Sequence, residues 1–123
     1  MILVDTSIWI DHLHSSDGEL PALLNEAQVS IHPMTIGELA LGSLRDRKTI
    51  LALLSDLPET PVATHSEVFL FVELHALHGA GLSLVDAHLL AALRLSSRDR
   101  LWTRDRCLRV AADKLGVSAE LSS

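Results

Sequence analysis

Ile2, Leu3 and Val4 run without interruption into Asp5, Thr6 and Ser7, and this junction constrains the fold more than any other stretch of the chain. A continuous apolar triplet suits a strand covered on both faces, as in a parallel sheet, rather than one with a wet side. Asp5 then stands at the carboxyl end of that strand, and in open α/β sheets ligands bind in the crevice outside those ends. Aspartate is also a good helix N-cap, and Ser7 to Leu13 reads as a short helix with Trp9 and Leu13 on one face. Whether Asp5 is structural or functional therefore turns on whether other acids arrive at the same place.

Further along, Ser15-Ser16-Asp17-Gly18 is a turn cluster, and Glu19 to Ala27 carries Leu20, Leu23, Leu24 and Ala27 at helical spacing. Val29-Ser30-Ile31-His32 alternates like a short strand that Pro33 stops. Thr35-Ile36-Gly37-Glu38 has capping-box form, which places Glu38 in a first helical turn just beyond a strand. Ile50, Leu53, Leu54 and Leu57 mark another helix, and Thr60 to Thr64, bracketed by Pro58 and Pro61, is at most a short strand. His65 to His78 reads as a helix ended by Gly79-Ala80-Gly81. Ser83-Leu84-Val85-Asp86 repeats the capping pattern and opens a helix to Leu95 that is apolar almost all round, as a central helix should be. Leu101-Trp102-Thr103 is a short strand followed at once by Asp105. Leu108, Ala111, Ala112 and Leu115 then form a helical stripe closed by Gly116, and Val117 to Leu121 reads as a last edge strand.

Four acids, Asp5, Glu38, Asp86 and Asp105, thus each sit at or beside a helix start, after a strand or tight loop. Capping explains each one taken singly. In a parallel sheet, however, the strand-to-helix junctions share one edge, so the four carboxylates are expected to converge. Two carboxylates about 4 Å apart repel by about 1 kcal/mol in water and about 4 kcal/mol at an effective dielectric near 20. Several together call for a bound cation or raised pKa values, and helix N-termini favour the ionised forms. An all-oxygen donor set suits Mg²⁺ or Mn²⁺ better than zinc.

The 123 residues read as one domain spanning 1–123, and an apolar content of 48% with mean hydropathy of +0.30 hints at a surface that a partner covers. The apolar run meets Asp5 too early for a signal-peptide core or a membrane span, so a cytoplasmic location is expected. Cys107, the single cysteine, excludes an intrachain disulfide and fits a small core or half-buried position. The net charge of −6 argues against a nucleic-acid partner until its distribution is considered. Between Arg94 and Arg109 six arginines face two aspartates, net +4, leaving −10 for the remainder. Such a strip can grip phosphates even on an acidic body. Among the histidines, His75 and His78 lie at i, i+3 but are too few for a metal site. His12 and His14 point to different helix faces, and His88 faces away from Asp86 as a packed or partner-facing residue.

Val4-Asp5-Thr6-Ser7, Gly37-Glu38-Leu39, Leu84-Val85-Asp86-Ala87 and Thr103-Arg104-Asp105, in this order and spacing, resemble the motifs of PIN domains. Among these the chain is most similar to the VapC-type ribonuclease toxins of bacterial toxin–antitoxin systems. One departure is Arg98-Asp99-Arg100, standing where such domains often carry a glycine. The resemblance implies a three-layer α/β/α sandwich around a central parallel sheet of four to five strands. It also implies a Mg²⁺-dependent acidic site built from Asp5, Glu38, Asp86 and Asp105, with Thr103 and Ser7 as supporting hydroxyls. The substrate implied is single-stranded or loop RNA, cut to leave a 5′-phosphate and a 3′-hydroxyl. A homodimer is implied as well, restrained by an antitoxin that covers an apolar groove between Thr35 and Leu57.

Two other classes fit parts of the pattern. A haloacid-dehalogenase-like phosphohydrolase would use Asp5 as a nucleophile, but it wants a second aspartate where this chain has Ser7. A non-catalytic module could keep the fold alone, yet would have no electrostatic reason to retain all four acids.

Overall fold

A computed structural model describes residues 1–14 and 18–121; the turn expected at Ser15-Ser16-Asp17 lies outside the described residues. Three parallel strands, β1 (Ile2–Val4), β2 (Val29–Ser30) and β3 (Arg100–Trp102), form a sheet in the order β2-β1-β3. Ile2 pairs with Val29 on one side and with Arg100 on the other, and Val4 pairs with Trp102. Among the described residues seven helices surround the sheet: α1 (Thr6–His14), α2 (Glu19–Asn25), α3 (Pro33–Leu41), α4 (Arg47–Ser55), α5 (His65–Leu74), α6 (Leu84–Leu95) and α7 (Arg106–Leu115).

The three layers follow from the two-residue period of a strand, which sends successive side chains to opposite faces. Leu3 and Leu101 enter a core with Val68 and Phe71 of α5, Leu89, Leu90 and Leu93 of α6, and Leu108 of α7. Val4, Val29 and Trp102 enter a second core with Ile8 and Trp9 of α1, Leu20 of α2, Leu39 of α3 and Leu54 of α4. Helix α6 is buried from Ala87 through Leu93, as its all-round apolar sequence requires.

The sheet is narrower than the expected four to five strands. On its outer sides the chain touches it only through single bridges, Ile31 to Glu59 and Leu101 to Ser118. The bond from Thr60 N to Ile31 O closes the first bridge, and two residues past Ile31 the chain enters α3 at Pro33. After Gly116 turns in the left-handed region (φ 72°), Val117 O and Ala119 N each bond Leu101, and the pairing ends there.

Two helix boundaries also differ from expectation. Pro33 ends the strand as expected and itself opens α3, because a proline at the first helical position loses no hydrogen bond. The cap is the His32 imidazole, whose Nδ1 accepts from Met34 N at 3.0 Å, so Thr35 lies inside the helix. Helix α5 ends at Leu74, before the glycines: Ala76 takes a left-handed conformation (φ 49°) and Leu77 N bonds Val72 O, which turns the buried Leu77 into the core. Cys107 is exposed rather than half-buried. Its Sγ lies where a side chain on Gly81 would meet it, at 2.9 Å from the position of a Cβ, and Gly81 itself has φ +75°.

Leu90→Ala, emptying the middle of the central helix, is expected to cost about 2–5 kcal/mol, and Ser83→Ala, removing the α6 cap, about 1 kcal/mol. Urea denaturation should rank the two in that order with unchanged m-values.

Candidate active site

Each strand leaves the sheet at the same edge and passes directly into a helix: β1 into α1 through Asp5, β2 into α3 through His32, and β3 into α7 through Thr103 to Asp105. The start of α6 lies within charge range of this edge, the carboxylates of Asp5 and Asp105 both acting on Asp86. Asp5 is buried (5% exposed). Its Oδ2 accepts hydrogen bonds from Ser7 Oγ at 2.9 Å and from Thr103 Oγ1 at 2.7 Å. The carboxylate is thus held by hydroxyls rather than spent on capping α1. Thr103 Oγ1 in turn accepts from Asp105 N at 3.0 Å, and Ser7 Oγ accepts from Arg104 N at 3.1 Å. One short network therefore fixes the ends of β1 and β3 together.

Asp86 and Asp105 do cap their helices. Asp86 Oδ2 accepts from Ser83 N at 3.0 Å while Ser83 Oγ accepts from Asp86 N, completing the capping box read from the sequence. Asp105 Oδ1 accepts from Leu108 N at 2.9 Å. Burial raises the Asp86 pKa above the usual carboxylate value, and the charges of Asp5 and Asp105 push it the same way against the lowering effect of its bonds to Ser83. Glu38 is placed differently from expectation. Because α3 starts at Pro33, Glu38 stands in the second turn, exposed, with Oε1 accepting from Thr6 Oγ1 at 2.6 Å.

The four acids thus come from four helix starts or early turns, and each has one oxygen engaged: Asp5 Oδ2, Glu38 Oε1, Asp86 Oδ2 and Asp105 Oδ1. The structure joins Asp5, Asp86 and Asp105 electrostatically and ties Glu38 to α1 beside Asp5. Among the described residues no three histidines, cysteines, aspartates or glutamates stand close enough to form a ready-made metal cage. The donor chemistry nonetheless fits a hard divalent cation. Mg²⁺ characteristically keeps several waters and takes one or two carboxylates with substrate phosphates, rather than an all-protein shell.

The arginine strip is divided by the fold. β3 lies between its halves: Arg94, Arg98 and Arg100 are at the far end of α6 and the entry to β3, whereas Arg104 and Arg106 are at the acid edge. At about 3.3 Å per residue, Arg100 and Arg104 are roughly 13 Å apart along the strand direction. Arg104 is ion-paired with Asp11 of α1. Two roles went unseen in the sequence. Thr6 reaches Glu38 across 32 positions, and Asp11 pairs with Arg104 across 93; no local motif signals either.

The histidines have structural places. His75 packs on Phe71 with ring centroids 4.7 Å apart. His88 is buried, 5.1 Å from His65 and 6.3 Å from His32 between ring centroids.

A PIN domain family model matches residues 2–114. The chain belongs to the PIN-domain family. It is 48% identical, over 118 residues, to proteins named ribonuclease VapC32 from two strains of Mycobacterium tuberculosis, CDC 1551 / Oshkosh and H37Rv. These alignments cover 96% of this chain and 95% of each relative. A PIN-domain assignment accounts for the mixed α/β fold and its parallel sheet.

Burial, with the nearby His88, lowers the His32 pKa from 6.5 to about 4. Between these values the unfolded chain binds a proton that the folded chain refuses, so stability falls as the pH drops from 6.5 toward 4, by on the order of 3 kcal/mol. Denaturation midpoints measured across that window should show the loss. His32→Asn, which keeps a capping acceptor but cannot titrate, should flatten it.

Proposed function

We propose that this PIN domain is a divalent-metal-dependent endoribonuclease, the toxin of a toxin–antitoxin pair. What supports the reading is that Asp5 and Asp105 stand at strand-to-helix junctions, Asp86 feels the charges of both, Glu38 is bonded to the residue after Asp5, and each carboxylate is bonded through one oxygen. The likeness to proteins named ribonuclease VapC32 supports it.

In this reading Asp5, Glu38, Asp86 and Asp105 form the catalytic and metal-holding set, Mg²⁺ being the natural ion and Mn²⁺ a substitute. Asp5 and Asp86 are the most direct ligands. Glu38 and Asp105 ligate through water, serve a second ion, or orient the nucleophile. When bound, the cation supplies the positive charge that neutralises the scissile phosphate and acidifies the attacking water. Ser7 and Thr103 keep Asp5 oriented by donating to its Oδ2. Burial and repulsion at Asp86 are relieved when a cation binds, so ligation favours its ionised form. Water adds to phosphorus and the 3′-oxygen departs with a proton, leaving a 5′-phosphate and a 3′-hydroxyl. Arg104 and Arg106, the arginines at the acid edge, hold the RNA backbone.

A groove of about 670 Å³ is lined by Ile10 and Leu13 of α1, Glu38 and Leu39 of α3, and Leu44 and Ile50 toward α4. An antitoxin segment lying there has an apolar bed and an acidic end for a basic side chain, so the groove supports the antitoxin reading. No helix among the described residues is long and apolar enough to cross a membrane, and a cytoplasmic location is part of this proposal. So is a homodimer, for which the exposed Phe69, Leu70 and Leu74 of α5 offer an apolar face. The dehalogenase-like reading is not favoured: Ser7 occupies the position of the second aspartate and spends its hydroxyl on Asp5.

Purified protein with Mg²⁺ or Mn²⁺ should cut cellular RNA into discrete fragments, and both a chelator and Asp86→Asn should abolish them. Intact RNA from antitoxin-free protein under every condition would overturn the reading. Arg104→Ala should weaken binding of an uncleavable RNA and reduce its salt dependence by about one counterion, whereas Arg98→Ala should leave both unchanged.

A further inference from the structure

Glu38 is the one candidate carboxylate with no anchor on its own helix end. Asp86 and Asp105 are tied down by the N–H groups of the helices they cap, and Asp5 by two hydroxyls at the sheet edge. Glu38 stands exposed on the second turn of α3, where a long side chain has several rotamers open to it. Its hydrogen bond comes from another element: Thr6 Oγ1, the first residue of α1, donates to Oε1 at 2.6 Å. That length is typical of a hydroxyl donating to an ionised carboxylate, the stronger class of hydrogen bond.

Thr6 is suited to this by its place. A threonine inside a helix tends to turn its hydroxyl back to the carbonyl three or four residues earlier. At the first helical position the carbonyl four residues back belongs to Ile2, within β1, so the hydroxyl is available to reach outward. Thr6 also follows Asp5 directly, so the turn that presents Asp5 at the sheet edge presents the group that holds Glu38.

Taking the site as the metal-dependent nuclease centre proposed above, we propose that Thr6 is a positioning residue. It holds Glu38 by Oε1, so that Oε2 alone is offered to the cation and Glu38 acts as a one-oxygen ligand. Removing the hydroxyl releases Glu38 and weakens cation binding without unfolding the chain, because Thr6 is at the surface end of α1 rather than in either core.

The test is Mn²⁺ binding, followed by electron paramagnetic resonance of the free ion, for the wild type, Thr6→Val, Thr6→Ser, Glu38→Gln and Thr6→Val combined with Glu38→Gln. Melting temperatures are recorded alongside. Thr6→Val should bind Mn²⁺ about tenfold more weakly or worse, as loss of an outer partner to a metal ligand usually does. Thr6→Ser should restore binding, and the double variant should bind no more weakly than Glu38→Gln. In cleavage assays the half-saturating Mn²⁺ concentration of Thr6→Val should rise, with kcat recovered at saturation. If Thr6→Val binds like the wild type while Glu38→Gln is impaired, the positioning role is wrong and the nuclease reading stands. Equal weakness in Thr6→Ser and Thr6→Val would also overturn it, by assigning the effect to the methyl group. If the wild type binds no Mn²⁺ saturably, both readings fall together. Should Thr6→Val melt at a much lower temperature than the wild type, Thr6→Ala takes its place under the same criteria.

Discussion

Anchoring of a carboxylate by a single oxygen is the interaction on which this architecture depends. A negatively charged group left loose at a protein surface samples many orientations, and one fully hydrogen-bonded has nothing left to offer a ligand. Here Asp5, Glu38, Asp86 and Asp105 are each held halfway, by hydroxyls at the first two and by backbone N–H groups at the last two. The capping explanation and the functional explanation of the acids are therefore compatible for Asp86 and Asp105. One oxygen of each completes the helix end.

The parallel sheet is what turns local caps into a site. Strands running in one direction deliver their exits to one edge, and three short strands suffice because the helices on both faces bury all of them except Ile2, which is half-buried, and Arg100, which is exposed. The same logic separates functions across the sheet. Positive charge that looks continuous between Arg94 and Arg109 is shared between two opposite edges once β3 is laid through it. Repulsion at Asp86 is the electrostatic counterpart of this convergence: like charges drawn together by topology raise the cost of ionisation until something positive joins them.

What could be read from the sequence was what short-range chemistry determines. The apolar triplet before Asp5, the Ser83-to-Asp86 box and the stripe ending at Gly116 are complete within a few residues, and each forms as expected. The start of α3 was misplaced because proline is both a helix stop and a good first helical residue, and an imidazole as cap carries no pattern in the sequence. The earlier start moves Glu38 from a first to a second turn, where Thr6 bonds it. The sheet is narrower than the resemblance implies because the stretches at Glu59 and Ser118 each meet it through a single bridge. The Thr6 and Asp11 partnerships are tertiary, joining α1 to α3 and to the residue after Thr103, and no window of sequence contains both members of either pair.

Gly81 and Cys107 add a mechanical consequence. The turn into α6 passes over the first turn of α7 so closely that a hydrogen is all that fits between backbone and sulfur. Asp86 lies five positions beyond that contact and Asp105 two positions before it. The segment leading into α6 and the start of α7 thus meet through a bare backbone resting on a thiol, with no room for a side chain between them.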